Sequence, residues 1–191
     1  MRKVLLLIIV PALCLRANAQ GTIRFMNIRP GGAIDAPVYQ SDGVTKLSGA
    51  QYLAELLAGP GPSSLGPVAT TEFLTGNAVG YFDGGTVAVN SVPPGNTAWV
   101  QVYVWNMSSG ASFAQAQNSG LPNSWWQSSV FDVQTGGQLT GTGTAPPGPL
   151  LGLGTSPVYL NGVPEPATLA LTGLGAVSVL LRFLRRTGSK N

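Results

Sequence analysis

Two uncharged apolar stretches, residues 4–15 and 167–181, bracket the chain and limit which residues can build a water-soluble domain. Helices of soluble domains are usually amphipathic, with a charged or polar face turned to water. The second stretch contains no charged residue from which such a face could be built. Both stretches therefore predict targeting or membrane segments, and the folded domain must come from the residues between them.

The first apolar stretch has the features of a secretory signal peptide. It follows the basic pair Arg2-Lys3 and precedes Ala17-Asn18-Ala19, which fits an A-x-A cleavage site. We predict a signal peptide over residues 1–19, in which Ala17 and Ala19 specify cleavage and after which Gln20 begins the mature chain. The alternative is a lipoprotein modified at Cys14, but the residue before it is a bulky leucine, where lipoprotein processing requires a small side chain.

The second apolar stretch is long enough to cross a membrane when its flank is included. As a helix, residues 167–181 would rise about 22 Å, which is short of a bilayer core of roughly 30 Å. If Arg182 directs its guanidinium toward the headgroups, the span extends over residues 167–184 and about 27 Å. The basic end that follows, with Arg185 and Arg186, stays cytoplasmic by the positive-inside rule. We predict a transmembrane helix here, and the alternative is a buried helix closing a soluble domain.

A short motif, Val163-Pro164-Glu165-Pro166, stands directly before this apolar stretch. Its prolines would stop a helix, because proline has no N–H to donate. The order of Pro-Glu-Pro, a glycine-containing apolar segment and an arginine cluster (Arg182, Arg185 and Arg186) resembles a PEP-CTERM sorting tail. Such tails are handled by exosortase, a membrane transpeptidase-like enzyme of Gram-negative bacteria that make exopolysaccharide. The resemblance implies that residues 163–191 form a sorting tail, that residues 163–166 are its recognition motif, and that the chain is cut near them and released or transferred to the cell surface.

The composition of residues 20–163 excludes several functions. This segment has three basic residues against six acidic ones, a net charge of −3, although the whole chain carries +3. Nucleic-acid binding needs a basic face and is therefore disfavoured. The chain has no histidine, and its only cysteine lies in the predicted signal peptide. Imidazole and thiolate catalysis are thus excluded, as are metal sites built from those ligands, and we expect no cofactor.

Carboxylates are the remaining candidates for catalysis or metal binding. Glu55 and Glu72 are the only glutamates of the mature domain, and glycosidases need two carboxyl groups about 5–10 Å apart. Nothing in the sequence brings the two together, so we predict that the protein is not an enzyme. Asp35, Asp42 and Asp83 lie in or beside glycine-containing turns without the spacing of an EF-hand loop. Solvated turn residues are the simpler interpretation, and we predict no metal site.

The mature domain has the pattern of an antiparallel all-β fold. Short apolar runs alternate with turns rich in Gly, Ser, Asn and Pro, and there is no long amphipathic pattern. We predict a β-sandwich of about seven strands over residues 20–134, followed over residues 135–162 by a Gly/Pro/Thr-rich stalk with a last strand near its end. Between Ala50 and Leu57 a helix is a competing prediction, since three leucines also fit helical spacing. The predicted strands are Gly21–Ile28, Tyr52–Ala58, Pro67–Phe73, Gly80–Val89, Ala98–Trp105, Ser128–Gln134 and Pro157–Leu160.

The clearest strand, Thr97–Asn106, alternates small apolar residues with aromatic and amide residues. The small residues share one face and are predicted core: Ala98, Val100, Val102 and Val104. The opposite face carries Trp99, Gln101, Tyr103 and Trp105. Such a row suits sugars, because rings stack on the apolar faces of pyranoses and amides bond the hydroxyls. The simpler alternative is packing against neighbouring strands or a loop.

A second aromatic point is the pair Trp125-Trp126, which follows a Gly-Leu-Pro turn. In an extended chain the two rings point to opposite faces, so one can enter the core while the other stays exposed. We treat Trp126 as a further candidate glycan contact. The plainer alternative is a hydrophobic plug that closes one end of the sandwich.

These features predict an exported protein of the cell surface or extracellular matrix. It would cross the inner membrane, be held there by its C-terminal helix, and meet an exosortase-type enzyme before display. We expect a structural or adhesive role associated with exopolysaccharide. The alternative is a carbohydrate-binding module with its site on the aromatic row.

Overall fold

The computed structural model describes residues 20–139 and 143–161. Within them the chain forms fourteen strands and one short helix, α1 (Phe113–Asn118), together with two 3-10 turns, at Gly76–Ala78 and Leu151–Leu153. The strands are β1 (Gly21–Met26), β2 (Ile28–Arg29), β3 (Ile34–Asp35), β4 (Val38–Tyr39), β5 (Gly49–Gly59), β6 (Gly66–Phe73), β7 (Asp83–Val89), β8 (Thr97–Asn106), β9 (Trp125–Gln127), β10 (Phe131–Gln134), β11 (Gly137–Leu139), β12 (Gly143–Ala145), β13 (Gly148–Pro149) and β14 (Val158–Tyr159).

The all-β class is confirmed, and each of the seven predicted strands overlaps an observed one. The competing helix at Ala50–Leu57 is wrong, because these residues lie in β5, whose side chains alternate between buried and half-exposed. The strands that the sequence did not predict have two or three residues each. No helix within the described ranges has the length and apolarity needed to cross a bilayer. The predicted membrane helix, residues 167–184, lies outside those ranges.

The largest sheet has five strands and is organised around β8. Its strand order is β10-β8-β5-β6, and β9 pairs with the C-terminal half of β8 on the same side as β10. All of these ladders are antiparallel. Strand β8 thus has ladder partners on both sides over much of its length, and its small apolar side chains are fully buried.

A second sheet, of order β13-β1-β7, shares a core with the first. Ile23 and Phe25 of β1 and Leu56 of β5 are fully buried in one hydrophobic cluster, together with the predicted core residues Ala98, Val100, Val102 and Val104 of β8. The ring of Phe25 meets Phe82 at 5.1 Å between centroids. Two short pairings, β1–β13 and β4–β14, are parallel, so the fold is antiparallel in its main ladders only.

The segment predicted as a stalk packs against the domain over its described residues. Leu150 and Leu160 are buried in the shared core. Gly148 of β13 pairs with Ile23, and a Cβ atom at this glycine would collide with the Gln134 carbonyl. Glycine at this position therefore allows two backbone segments to lie close together. The glycine-rich composition of the segment had instead indicated flexibility.

Candidate functional site

The outer face of the five-stranded sheet carries the predicted aromatic row. Trp99, Gln101, Tyr103 and Trp105 lie on the side of β8 opposite to the buried valines, as the alternation predicted. The pairing register adds their neighbours on the same face. Trp99 lies beside Asp132, Gln101 beside Leu57, Tyr103 between Glu55 and Gln127, and Trp105 between Leu53 and Trp125.

Helix α1 covers one half of this row. The helix begins at Ser112, whose hydroxyl oxygen accepts from the Gln115 backbone N–H, an N-cap that satisfies one of the free amides of the first turn. The ring of Phe113 then stacks on Tyr103 with 3.9 Å between centroids and 13° between planes. Phe113 also meets Trp125 edge-on at 5.7 Å. Phe113 of the helix thus covers Tyr103 and Trp125, and we call this ring the aromatic lid.

Trp105 belongs to a second, smaller hydrophobic cluster between helix α1 and the sheet. It is only 4% exposed and packs with Phe113 and Ala116. Its indole Nε1 is buried and has no hydrogen-bond partner among the described residues. Neither Trp105 nor the ring face of Tyr103 that meets Phe113 is open to a sugar in this structure. For these two residues the geometry agrees with the packing alternative.

The open half of the outer face contains Trp99, Gln101 and Glu55, each half-buried. The Gln101 side-chain N–H donates to the Ser128 carbonyl at 2.8 Å, which fixes the orientation of the amide. Desolvation by burial raises the pKa of Glu55 above its usual value. A ring, an oriented amide and a carboxylate therefore lie on neighbouring positions of one rigid sheet. This combination can stack on a sugar ring and accept bonds from its hydroxyls.

The two glutamates are closer than the sequence indicated. Leu53 pairs with Glu72 and Glu55 pairs with Thr70, so the glutamates are diagonal neighbours on the outer face of β5 and β6. Diagonal positions of an antiparallel pair lie about 7–8 Å apart. However, Glu72 is exposed on an open sheet edge. Two surface grooves, of about 340 Å³ and 330 Å³, are lined by other residues. Neither of these two grooves of the described residues encloses the glutamate carboxylates.

The remaining predicted residues have structural partners. Trp126 pairs with Val104 and packs on the inner core, so it lies on the face opposite to the aromatic row. Asp35 accepts from the Tyr81 hydroxyl at 2.7 Å, and Asp83 forms an ion pair with Arg24 at 2.7 Å. Within the described residues, no group of three acidic, histidine or cysteine side chains is arranged to hold a metal ion.

The end of the described chain is fixed by Asn161. Its side-chain Oδ1 accepts from the backbone N–H groups of Ser124 and Trp125, at 3.0 and 2.9 Å, and from the Ser124 hydroxyl at 3.1 Å. The Asn161 backbone adds bonds to Asn123 and Trp125. Asn161 is therefore an anchor two residues before the Val163–Pro166 motif. That motif, the arginines of the tail and the cleavage residues Ala17 and Ala19 lie outside the described residues.

Sequence reasoning missed Phe113, Glu55 as a member of the aromatic face, and Asn161. A signal existed for the first, since Ser112 followed three residues later by Gln115 matches a capping box before a short helix. The place of Glu55 depends on pairing register, and that of Asn161 on bonds to Ser124 and Trp125, far away in sequence; the sequence specifies neither.

Comparisons with protein families, with curated proteins and with solved structures gave no match.

Proposed function

We propose that this chain is an exported protein delivered to the cell surface or extracellular matrix by a C-terminal PEP-CTERM signal. In this proposal the described domain is a β-sandwich, with the five-stranded and three-stranded sheets as its two layers. A signal peptide precedes it, and a membrane helix follows it until an exosortase-type enzyme acts. The role is structural or adhesive, in association with exopolysaccharide.

One observation carries the proposal. Val163-Pro164-Glu165-Pro166, the apolar stretch and the arginine cluster follow one another in the order that sorting tails have. The position of the motif supports this interpretation. It comes two residues after Asn161, the last described residue, which is hydrogen-bonded to Trp125 of the domain. A processing enzyme could then remove the tail without cutting any of the described strands, the last of which ends at Tyr159.

Variants of the motif test the proposal in a host that contains an exosortase. Glu165→Ala should leave the protein in the membrane fraction with an uncut tail, whereas the wild type reaches the surface or the medium. Glu72→Ala is the matched control, since Glu72 is an exposed glutamate of the domain. Equal sorting of Glu165→Ala and the wild type would contradict the proposal.

The second candidate function is glycan binding on the open half of the outer face. Trp99, Gln101 and Glu55 favour it, because they combine a ring with fixed polar groups on a rigid sheet. The net charge of −3 over residues 20–163 disfavours strongly acidic polysaccharides as ligands. Neutral polysaccharides are therefore the ligands to test first.

A further inference from the structure

Three exposed apolar side chains surround the point where the described chain ends. Val44 is 80% exposed, and Leu121 and Tyr159 are each 49% exposed. We call these three residues the exit patch. Large apolar side chains grouped on one surface indicate an interaction site more often than scattered ones do.

Short contacts join the three segments of the exit patch. Gly43, next to Val44, lies 3.8 Å from the Tyr159 ring when a Cβ atom is built on it. The Ser41 backbone N–H donates to the Asn123 side chain at 2.6 Å. The Asn161 side-chain N–H₂ reaches the Leu121 carbonyl at 3.4 Å. The loops 41–45 and 120–123 therefore meet around Asn161.

The exit patch occupies one end of the domain, and the start of the mature chain occupies the other. Asn106, the last residue of β8, donates its backbone N–H to Ser124, beside Asn161. Thr97, the first residue of β8, pairs with Gln134, near Gly136, which bonds to Thr22. A strand of this length spans about 30 Å. Gln20 and Asn161 thus leave the domain at opposite ends.

The sequence beyond Asn161 limits how far the exit patch can lie from a membrane. Five residues, 162–166, separate Asn161 from the apolar stretch. Even fully extended, the chain from Asn161 to Ala167 reaches about 20 Å at most. If the apolar stretch spans the bilayer, the end of the domain with the exit patch must face the membrane.

We infer that the exit patch seats on the lipid surface, with Val44, Leu121 and Tyr159 in the headgroup region, while the chain is anchored by its tail. This inference rests on the proposed function, which supplies the membrane segment. Tyrosine is favoured at such interfaces because its ring is apolar and its hydroxyl is polar. The far end of the domain, with the β5–β6 hairpin, would then point away from the membrane.

The loop that carries Val44 has one acidic and one basic residue, Asp42 and Lys46, so it offers no excess of positive charge to anionic lipid. Asp42 stands beside Val44, and hydrogen bonds from Thr45 and Val44 lower the pKa of its carboxyl, so it is ionised. Lys46 lies over the rings of Tyr39 and Tyr81, at 5.5 and 5.6 Å from their centroids. The seating should therefore not require anionic lipid.

Fluorescent labels on the mature chain, residues 20–191, test this inference in vesicles of phosphatidylethanolamine and phosphatidylglycerol. This chain keeps the tail, lacks the apolar residues 4–15 and contains no cysteine of its own. A nitrobenzoxadiazole label is attached to Val44→Cys or, in a second variant, to Leu121→Cys. The control is Ser63→Cys, an exposed position of the β5–β6 hairpin at the far end. All three positions are exposed, so the substitutions should leave the fold intact.

Brominated lipids should quench the labels at 44 and 121 roughly twofold, because interfacial groups lie about 5–10 Å into the headgroup boundary. The label at 63 should stay in water, with its emission unchanged. Replacing phosphatidylglycerol by phosphatidylcholine should leave this pattern unchanged.

Several results would overturn the inference. A chain that floats with the vesicles but shows aqueous labels at 44 and 121 would overturn the seating and leave the anchor intact. A chain that does not float at all would overturn the membrane anchor and the seating together. Labels at 44 and 121 that are shielded without vesicles would show that the tail or a second copy of the chain covers the patch instead.

Discussion

Replacing Asn161 by alanine should loosen the C-terminal closure of the domain. The substitution removes the acceptor of two backbone N–H groups, those of Ser124 and Trp125. The buried Ser124 hydroxyl, which also reaches Asn161, keeps the Leu121 carbonyl as its acceptor. A typical hydrogen bond contributes about 1 kcal/mol net, and an unsatisfied buried donor costs about 1–3 kcal/mol. Because Asn161 is itself half-exposed and water can replace part of the loss, we expect a destabilisation of about 2–3 kcal/mol.

Asn161→Asp separates the acceptor role from other effects. Aspartate keeps an oxygen in the place of Oδ1, and a carboxylate that accepts several N–H bonds is favoured in its charged form. It loses only the long bond of 3.4 Å from the side-chain N–H₂ to the Leu121 carbonyl. We expect this variant to unfold within about 1 kcal/mol of the wild type at neutral pH. Asn118→Ala, at an exposed position of α1, is the control and should change stability by less than about 0.5 kcal/mol.

Urea unfolding followed by tryptophan fluorescence measures these differences, since Trp125 is itself a partner of Asn161. The reasoning is refuted if Asn161→Ala is as stable as Asn118→Ala. It is also refuted if Asn161→Asp is as unstable as Asn161→Ala, because the loss would then not come from the acceptor.

Three further predictions concern the outer face and one tyrosine. Trp99→Ala removes one stacking ring and should weaken the binding of a neutral polysaccharide about tenfold in calorimetry. The control Tyr39→Ala should bind as the wild type does. Equal affinities of Trp99→Ala and the wild type would rule out the glycan site. Phe113→Ala should lower the free energy of unfolding by about 2–4 kcal/mol in urea. It should also raise the acrylamide quenching of tryptophan fluorescence, because the ring that covers Tyr103 and Trp125 is lost. Unchanged quenching would contradict this covering role. Desolvation and the bond to Asp35 raise the pKa of Tyr81 to about 12. Its contribution to stability should thus be complete below pH 10 and disappear as the pH rises through 12, and in ultraviolet titration Asp35→Asn should lower that pKa; a titration near 10 in the wild type would contradict it.

The strands could be predicted where the side chains alternate without interruption between two kinds of residue. In β8 the small residues and the rings alternate without interruption, so both the strand and its buried face follow from the sequence. In β5 the three leucines fit a helix as well as a strand, and pairing on both sides by β6 and β8 decides the outcome. Tertiary pairing overrides local propensity in such cases.

The segment after Gln134 shows where composition misleads. Its glycines and prolines predicted an extended stalk, yet Leu150 and Leu160 are buried in the core. Glycine is common in flexible linkers and also where two backbone segments touch, and only the fold distinguishes these two cases. Gly148 is an example of the second case.

The aromatic face was predicted in its residues, whereas its accessibility was left between an open row and a packed one. The alternation of β8 places Trp99, Tyr103 and Trp105 together, and this part is confirmed. That α1 covers the last two could not be read from spacing, because it depends on how the helix that carries Phe113 folds back over the sheet. The diagonal placement of Glu55 and Glu72 likewise depends on a register that includes a bulge in β6.

The central claim, that both apolar stretches direct delivery and are not parts of the fold, is tested most directly by the termini of the natural product. Intact-mass measurement of the protein recovered from the cell surface or medium should show a chain that begins at Gln20 and ends near Pro164–Pro166. A cytoplasmic protein that retains both residues 1–19 and residues 167–191 would contradict the account.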